Sequence, residues 1–263
     1  MQEVTRAQVA ACLRTLGVKA GDGLLVHSAV QFLGRPVGGL QMYLEAIQEV
    51  IGAQGTLIVP TFNFGFARGE SYDPATTPSH GMGAFSELVR QLPEARRTSH
   101  PLQSVAVVGR YADDLADRDT ASAFDPGSAF ERMLELDFKL LLLGADSRAV
   151  SMFHYSERRA NVPYRYWKDF TGPIHTASGW QTLTYRMFVR DLDLDPQLTI
   201  DPVVEYLQSL EKWRSLSLNY GQVTVCGLRD FVAAADKFLA ENPWSLVTNV
   251  IVRPDGTVGK RTV

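Results

Sequence analysis

Apolar positions along the chain recur at two spacings, and the alternation between them predicts a layered α/β fold. Thr5 and Gln8 have the Thr-x-x-Gln spacing of a capping box, and apolar residues then follow at helical intervals until Gly17, which predicts a helix over Arg6 to Leu16. Gly21 to Gly23 turns the chain into the apolar run GLLVHSAV, a strand whose polar end is His27 and Ser28, and QFLGRPVGG after it reads as loop. Leu40 to Ile51 returns to helical periodicity, Gly55 breaks it, and TLIVPTF is again strand-like, with Pro60 fixing where the strand stops or kinks. Between Gly65 and Gly83 the chain is rich in Gly, Pro, Ser, Thr and aromatics, about as long as an irregular stretch gets in a compact fold unless it serves a function.

The same reading predicts a helix over Phe85 to Gln91, a strand over Ser104 to Gly109, and helices over Arg110 to Asp117 and Ser128 to Leu136. It then predicts a buried strand over Phe138 to Leu143 and a helix within Ala149 to Ala160. Later the pattern changes. Gly172 to Arg190 reads as a hairpin turning at Ser178-Gly179, and Ile251 to Val263 as another turning at Asp255-Gly256. Helices over Pro202 to Trp213 and Leu228 to Ala240 accompany them, the second stopped by Asn242-Pro243. The expected fold is a layered α/β/α domain with a central mixed sheet and antiparallel C-terminal additions, one unit over residues 1–263, with no internal repeat.

Composition narrows the partners. Of 263 residues 45% are hydrophobic and 21% charged, and the net charge is −3 with no long run of Lys or Arg, which argues against a nucleic-acid partner and is compatible with a cationic substrate. The N-terminal MQEVTRAQVAACLRTLG lacks the apolar run of a signal peptide, and FKLLLLGA is far shorter than the ~20 residues of a membrane-crossing helix. A cytoplasmic protein with no membrane partner is expected. Cys12 and Cys226, both in apolar surroundings, are too few for a disulfide framework and read as core residues.

The chemistry concentrates in AVSMFHYSERRA. On a helix His154 and Glu157 share a face, which places a titratable base beside a carboxylate near the end of a strand. His-x-x-Glu occurs once, and no second pair with ligand spacing arises among the histidines at 27, 80, 100 and 175, so no metal is expected. Gly34, Gly38 and Gly39 match neither nucleotide-binding glycine pattern, and Ser28 lacks the Gly-x-Ser-x-Gly setting of a hydrolase nucleophile. Arg96, Arg97, Thr98 and Ser99 place cations and hydroxyls just before a strand. His27, Ser28, Ala29 and Val30 form a strand-to-loop edge with free backbone groups.

Five segments taken in order, VHSAVQFLG at 26–34, GTLIVPTF at 55–62, YDPATTPSHGMGAF at 72–85, RRTSHPLQSVAVVG at 96–109 and LLLGADSRAVSMFHYSE at 141–157, resemble the aminoglycoside 3-N-acetyltransferase family. The resemblance covers most of residues 5–170 and implies transfer of an acetyl group from acetyl-CoA to an amine. It places His154 and Glu157 in the family's active-site helix, and coenzyme A between the segment His27 to Val30 and the segment Arg96 to Ser99. Amine acetylation needs a neutral nitrogen, hence a general base, and His154 fits that part. Glu157 has two readings, orienting His154 or facing the acceptor ammonium. Hydroxyl or backbone donors near Ser28 or Ser104 could stabilise the reacting carbonyl, in direct transfer without an acyl-enzyme. Phe64, Tyr72, Asp73, Tyr164 and Asp169 are candidates for the acceptor pocket. The family's drug-modifying members carry acidic antibiotic-binding segments, whose nearest equivalents here are Asp191, Asp193 and Asp195 in DLDLDP.

The first expectation is therefore an acetyl-CoA-dependent N-acetyltransferase acting on an amino sugar or aminoglycoside-like amine, in resistance or in biosynthesis, as a monomer or a homodimer. The alternatives are a non-catalytic CoA or small-molecule binding module of the same fold and, third, a metal-dependent hydrolase built on the histidines.

Overall fold

The computed structural model describes residues 2–253, 255 and 257–260. In chain order the elements are β1 (Glu3–Val4), α1 (Arg6–Thr15), β2 (Gly23–Ser28), β3 (Arg35–Pro36), α2 (Gln41–Ile51), β4 (Thr56–Pro60), α3 (Ala84–Arg90), β5 (Arg96–Arg97), β6 (Val105–Gly109), α4 (Ala112–Ala116), α5 (Ala129–Glu135), β7 (Lys139–Leu143), α6 (Phe153–Ala160), β8 (Arg165–Thr176), β9 (Gly179–Arg190), α7 (Asp201–Ser209), β10 (Arg214–Leu218), β11 (Gly221–Gly227), α8 (Leu228–Glu241), β12 (Val250–Val252) and β13 (Val258–Lys260).

Seven strands form one sheet in the order β10-β11-β7-β2-β4-β6-β5. Its centre, β7-β2-β4, is parallel, and it is flanked on both sides by antiparallel neighbours, β11 beside β7 and β6 beside β4. Because side chains alternate along a strand, the central strands feed two cores at once. Leu25, Ile58, Val107, Leu140 and Leu142 point to one face, where they pack with Phe130 and Met133 of α5, Phe153 of α6, Val203 of α7 and Phe231 of α8. Leu24, Val26, Leu57, Val59, Leu141 and Leu143 point to the other, against Leu13 of α1, Ile47 of α2 and Phe85 of α3. Each such side chain, fully withdrawn from water, stabilises the fold by roughly 1.5–3 kcal/mol before conformational entropy is counted. The layered α/β/α fold with a mixed sheet is the one the sequence predicts.

The local signals hold closely at α1, where the Thr5 side chain accepts the N–H of Gln8 and the Gln8 side chain accepts the N–H of Thr5. Three differences bear on the site. The helix expected within Ala149 to Ala160 opens only at Phe153. Ahead of it Ser147–Ala149 forms a single 3-10 turn, held by the Asp146 side chain on the N–H of Arg148, and Val150 is extended. The hairpin expected from Gly172 begins at Arg165. Its two strands of twelve residues form a ribbon apart from the main sheet, and the turn falls on Ala177-Ser178, with Gly179 at φ 94° immediately after it.

The third difference is the edge hairpin β10–β11, which hydrophobic periodicity alone passes over. Its signal is the alternation in RSLSL and QVTVCG around Asn219-Tyr220, and Asn219 adopts φ 53° while its amide donates to the carbonyls of Leu33 and Glu3. β12 and β13 pair antiparallel as expected, but Gly256 of the expected Asp255-Gly256 turn, and residues 261–263, lie outside the described residues. No helix among the described residues is long and apolar enough to cross a membrane.

Candidate active site

The site assembles where β2 and β7 end side by side. Gly144, just past β7, adopts φ 74°, and a Cβ there would come within 2.6 Å of the Ala29 carbonyl oxygen, so only glycine lets the two strand ends approach this closely. The chain then runs over the end of β2, and His27 fastens it there. The buried His27 Nε2 accepts the N–H of Ser151 at 3.0 Å, with the Ser151 hydroxyl 2.9 Å away. An N–H can only donate, so Nε2 is the bare nitrogen and the ring proton lies on Nδ1, which has no partner among the described residues. Burial, and to a lesser degree the charge of His154, push His27 down to about 3, so the ring is neutral at physiological pH. This tie also ends the 3-10 turn, because the N–H of Ser151 is no longer available to a continuous helix.

α6 carries both His154 and Glu157. Its Phe153, Tyr155, Ser156 and Glu157 are buried, and Asn161 closes it at φ 45°. His154 lies on the exposed side of that buried stripe, with about a third of its side chain open to solvent (34%) against 1% for Glu157. His154 Nδ1 and Glu157 Oε2 are 2.5 Å apart. Arg165, from the first position of β8, brings its Nε to 2.9 Å from Glu157 Oε1. The angle there is outside hydrogen-bond range, so the contact acts through charge.

Burial pushes the Glu157 carboxyl up, but the hydrogen bond and charge of His154 and the charge of Arg165 outweigh it and hold the group below the usual carboxylate range. An ionised Glu157 can only accept, so Nδ1 of His154 donates to it, and in the neutral ring Nε2 is then the nitrogen with the lone pair. The Arg165 guanidinium also stands 3.3 Å from Nδ1, a contact that is secondary to the shorter one because a guanidinium cannot donate to a protonated nitrogen. Of the two readings left open for Glu157, the geometry favours the one in which it orients His154.

His154 stands between two clefts. On one side is a narrow cavity of about 250 Å³, lined by His27, Pro60, Phe62, Met82, Val150, Ser151, Phe153 and Ile200, with Ser147 and Arg148 among its polar walls. On the other is a wider one of about 650 Å³, walled by Phe64, Gln103, Arg165, Tyr166, Lys168, Phe188, Arg190 and Leu192. Leu198 touches both. A base at the junction of two clefts can reach groups delivered from either.

Of the residues singled out for the coenzyme wall, His27 lines the narrow cavity. Ser28, Ala29 and Val30 follow it at the strand end, where Ser28 bridges to Gly144 and the N–H of Ala29 donates to Leu143. The other wall segment begins on β5, three places from β2 in the sheet order, where Arg96 and Arg97 border a separate cleft. Arg96 pairs with Asp113 and Asp117 at the surface. Arg97 donates to the Thr61 and Ser104 hydroxyls and to the carbonyl of Thr61. Thr98 accepts the N–H of Val105, Ser99 donates to Asp119, and Ser104 donates to the Thr61 carbonyl. None of these five residues lines either cleft beside His154.

Among the acceptor candidates Phe64 lines the wider cleft. Tyr72 and Tyr164 are sealed from solvent, Tyr72 beneath the Arg97 guanidinium and Tyr164 beside Glu157 and Arg165, Asp73 holds the turn at Ala75 and Thr76, and Asp169 faces Arg186. Arg165, Lys168, Arg190, Ser151 and Met82 are cleft residues that the sequence does not single out. Arg165 follows the helix stop and has no periodic relation to His154, so no spacing rule finds it. Among the described residues no group of three or more His, Cys, Asp or Glu side chains could hold a metal ion.

Comparison with known proteins adds to this geometry. The family model described as aminoglycoside 3-N-acetyltransferase matches residues 25–240. Aminoglycoside N(3)-acetyltransferase III of Salmonella sp is 31% identical over 199 residues, 68% of this chain and 70% of the relative. The structure of AAC-IIIb in binary complex with CoASH superposes with a TM-score of 0.80 at 22% identity, over 91% of this chain and 97% of that one. The structure of AAC-VIa bound to sisomicin superposes with a TM-score of 0.79 at 22% identity, over 91% of this chain and 98% of that one.

Proposed function

The chain belongs to the aminoglycoside 3-N-acetyltransferase family and is thereby an acyltransferase; from that premise we propose that it moves an acetyl group from acetyl-CoA to an amine of an amino sugar or aminoglycoside-like acceptor, with His154 as general base. The observation that carries this reading is the imidazole at the junction of the two clefts, its Nδ1 held by Glu157.

The narrow cavity suits the acyl end of the cosubstrate. Its walls of Pro60, Phe62, Met82, Val150 and Ile200 match a slim, largely apolar arm, while Ser147 and Ser151 supply hydroxyls along it. Bound there, acetyl-CoA supplies an activated carbonyl, and the chain's task is to present a neutral nitrogen to it. An acceptor seated in the wider cleft would direct its amine at His154. Nε2 takes the amine proton as the N–C bond forms and the C–S bond breaks, and returns it to the departing sulfur. Glu157 contributes by fixing the tautomer and by opposing the positive charge that the ring gains. The carbonyl and the nitrogen meet directly, in a ternary complex.

Removing the imidazole tests the assignment. His154→Ala is expected to lower release of free thiol from acetyl-CoA in the presence of amines by about 10²- to 10⁴-fold, with an unchanged circular dichroism spectrum. Thiol release at the parent rate would overturn the base assignment, and binding of CoA by the parent protein with no release for any amine would point to a binding module.

A further inference from the structure

The imidazole of His154 shares its inner side with two sealed charges, and their sum decides how many protons the ring can hold. Glu157 is 1% exposed and Arg165 11%, and among the described residues neither has another charged side chain within ion-pair distance apart from His154. A neutral ring, a carboxylate and a guanidinium add up to zero. Arg165 acts on Glu157 through charge: its Nε stands 2.9 Å from Oε1 outside hydrogen-bond angles, and both atoms are buried without a hydrogen-bond partner, as is the hydroxyl of Tyr164 beside them. The guanidinium is fixed from the ribbon, where it donates to the Phe188 carbonyl at 3.1 Å.

Without the guanidinium the same pocket would hold one uncompensated negative charge out of water, which a buried site relieves by binding a proton. That proton has two places to go. On Glu157 it makes a carboxylic acid that donates to Nδ1, and the neutral ring must then carry its own hydrogen on Nε2. On His154 it makes an imidazolium, with a hydrogen on each nitrogen. Either way Nε2 loses the lone pair that would take a proton from an amine. We propose that Arg165 is a positioning residue that limits the His154 and Glu157 pair to one proton, held on Nδ1, and so preserves Nε2 as the base. It acts through Glu157, and the inference rests on the transfer reading above. Because Arg165 opens β8 and also lines the wider cleft, the ribbon that walls the cleft sets the state of the base as well.

Two readouts separate this role from a structural one. Nitrogen NMR of histidine-labelled protein near neutral pH, with the His154 signals assigned by their loss in His154→Ala, reads the hydrogen on each ring nitrogen. The parent is expected to carry it on Nδ1 alone, Arg165→Met to carry one on Nε2, and Arg165→Lys, whose ammonium reaches as far along the side chain as Nε, to return the parent pattern. In thiol release from acetyl-CoA, Arg165→Met is expected to lower kcat by about tenfold or more with KM for acetyl-CoA little changed, and Arg165→Lys to recover most of it. Added to Glu157→Gln, Arg165→Met is expected to cost less than about threefold further, because a residue that acts through Glu157 then has nothing left to act on. The double variant leaves no buried charge unpaired, so it and Arg165→Lys carry the test if Arg165→Met does not fold. A bare Nε2 in Arg165→Met, a tenfold loss of kcat in Arg165→Lys, or the same loss with and without the Glu157 carboxylate would overturn the inference and leave the transfer reading standing. No thiol release by the parent with any amine would overturn the transfer reading, while the NMR readout, which needs no acceptor, still decides the role of Arg165.

Discussion

His154 has a residue-scale counterpart whose importance can be measured separately. Glu157 is sealed at 1% exposure between the imidazole and the guanidinium of Arg165, itself only 11% exposed. Glu157→Gln keeps the shape and removes the charge. It is expected to lower kcat for thiol release by about ten- to hundredfold with little change in KM, because the imidazole loses the partner that sets its tautomer. It also leaves Arg165 without its counter-charge, so unfolding free energy measured with denaturant should fall by about 3 kcal/mol. A variant with parent kcat would show that Glu157 is only structural.

His154 and Glu157 are legible as a pair in the sequence, since residues three apart on a helix share a face. Which way Glu157 turns is not legible there, because the deciding residue, Arg165, arrives from beyond the helix stop at Asn161. Arg97 and Ser104 show the converse. A cation and a hydroxyl before a strand look like a ligand site in one dimension, and in the fold Arg97 donates to Thr61, Ser104 and the Thr77 carbonyl while Ser104 donates to Thr61.

At the scale of elements, local chemistry is the most readable. The Thr5 and Gln8 pair at the start of α1 does what its spacing says, and Thr5→Ala is expected to reduce stability by about 1 kcal/mol while leaving kcat unchanged. Equilibrium unfolding and a steady-state assay on the same preparation check both halves. α6 is less readable at its start. Periodicity carries apolar residues back to Ala149, but Val150 is extended between the 3-10 turn and α6, and the Ser151 N–H goes to His27 instead of to a carbonyl of that turn. A hydrophobic pattern records neither. The edge hairpin β10–β11 escapes the pattern for another reason. Its strands alternate between Ser or Thr and apolar residues, which reads weakly against the helices on either side until the sheet edge is known.

For the molecule as a whole, the alternation of strand and helix is enough to predict a mixed sheet with helices packed over it, while the strand order requires the fold itself. Two imidazoles inside that fold give it an acid limit. Burial lowers His27 to about 3 and His100 to about 4, from an ordinary value of 6.5. The unfolded chain therefore takes up protons at these two positions before the folded one does. Their contribution is complete above about pH 6.5 and is lost as the pH falls through the window down to those lowered values, at about 1.4 kcal/mol per pH unit for each ring.

Denaturant titrations should accordingly show a loss of about 3 kcal/mol between about pH 7.5 and about pH 5.5, before carboxylates contribute. Glu157 and Glu87, both held below the ordinary 4.5, add a second decline beneath that value. Constant stability down to about pH 5 would show that the two rings are not held neutral by the fold.

The β8–β9 ribbon, finally, divides the protein between two kinds of inheritance. It is anchored at its root, where Phe188 and Trp167 join the core beneath α5 and α6, and through a small apolar cluster of its own, Phe66, Tyr72, Leu102, Ile174 and Tyr185. Substitutions along its outer positions can therefore drift without disturbing the strands that hold the imidazole. A lineage could revise what it accepts by rewriting the outer positions of one hairpin beyond Arg165, and keep unaltered the imidazole and the groups that hold it.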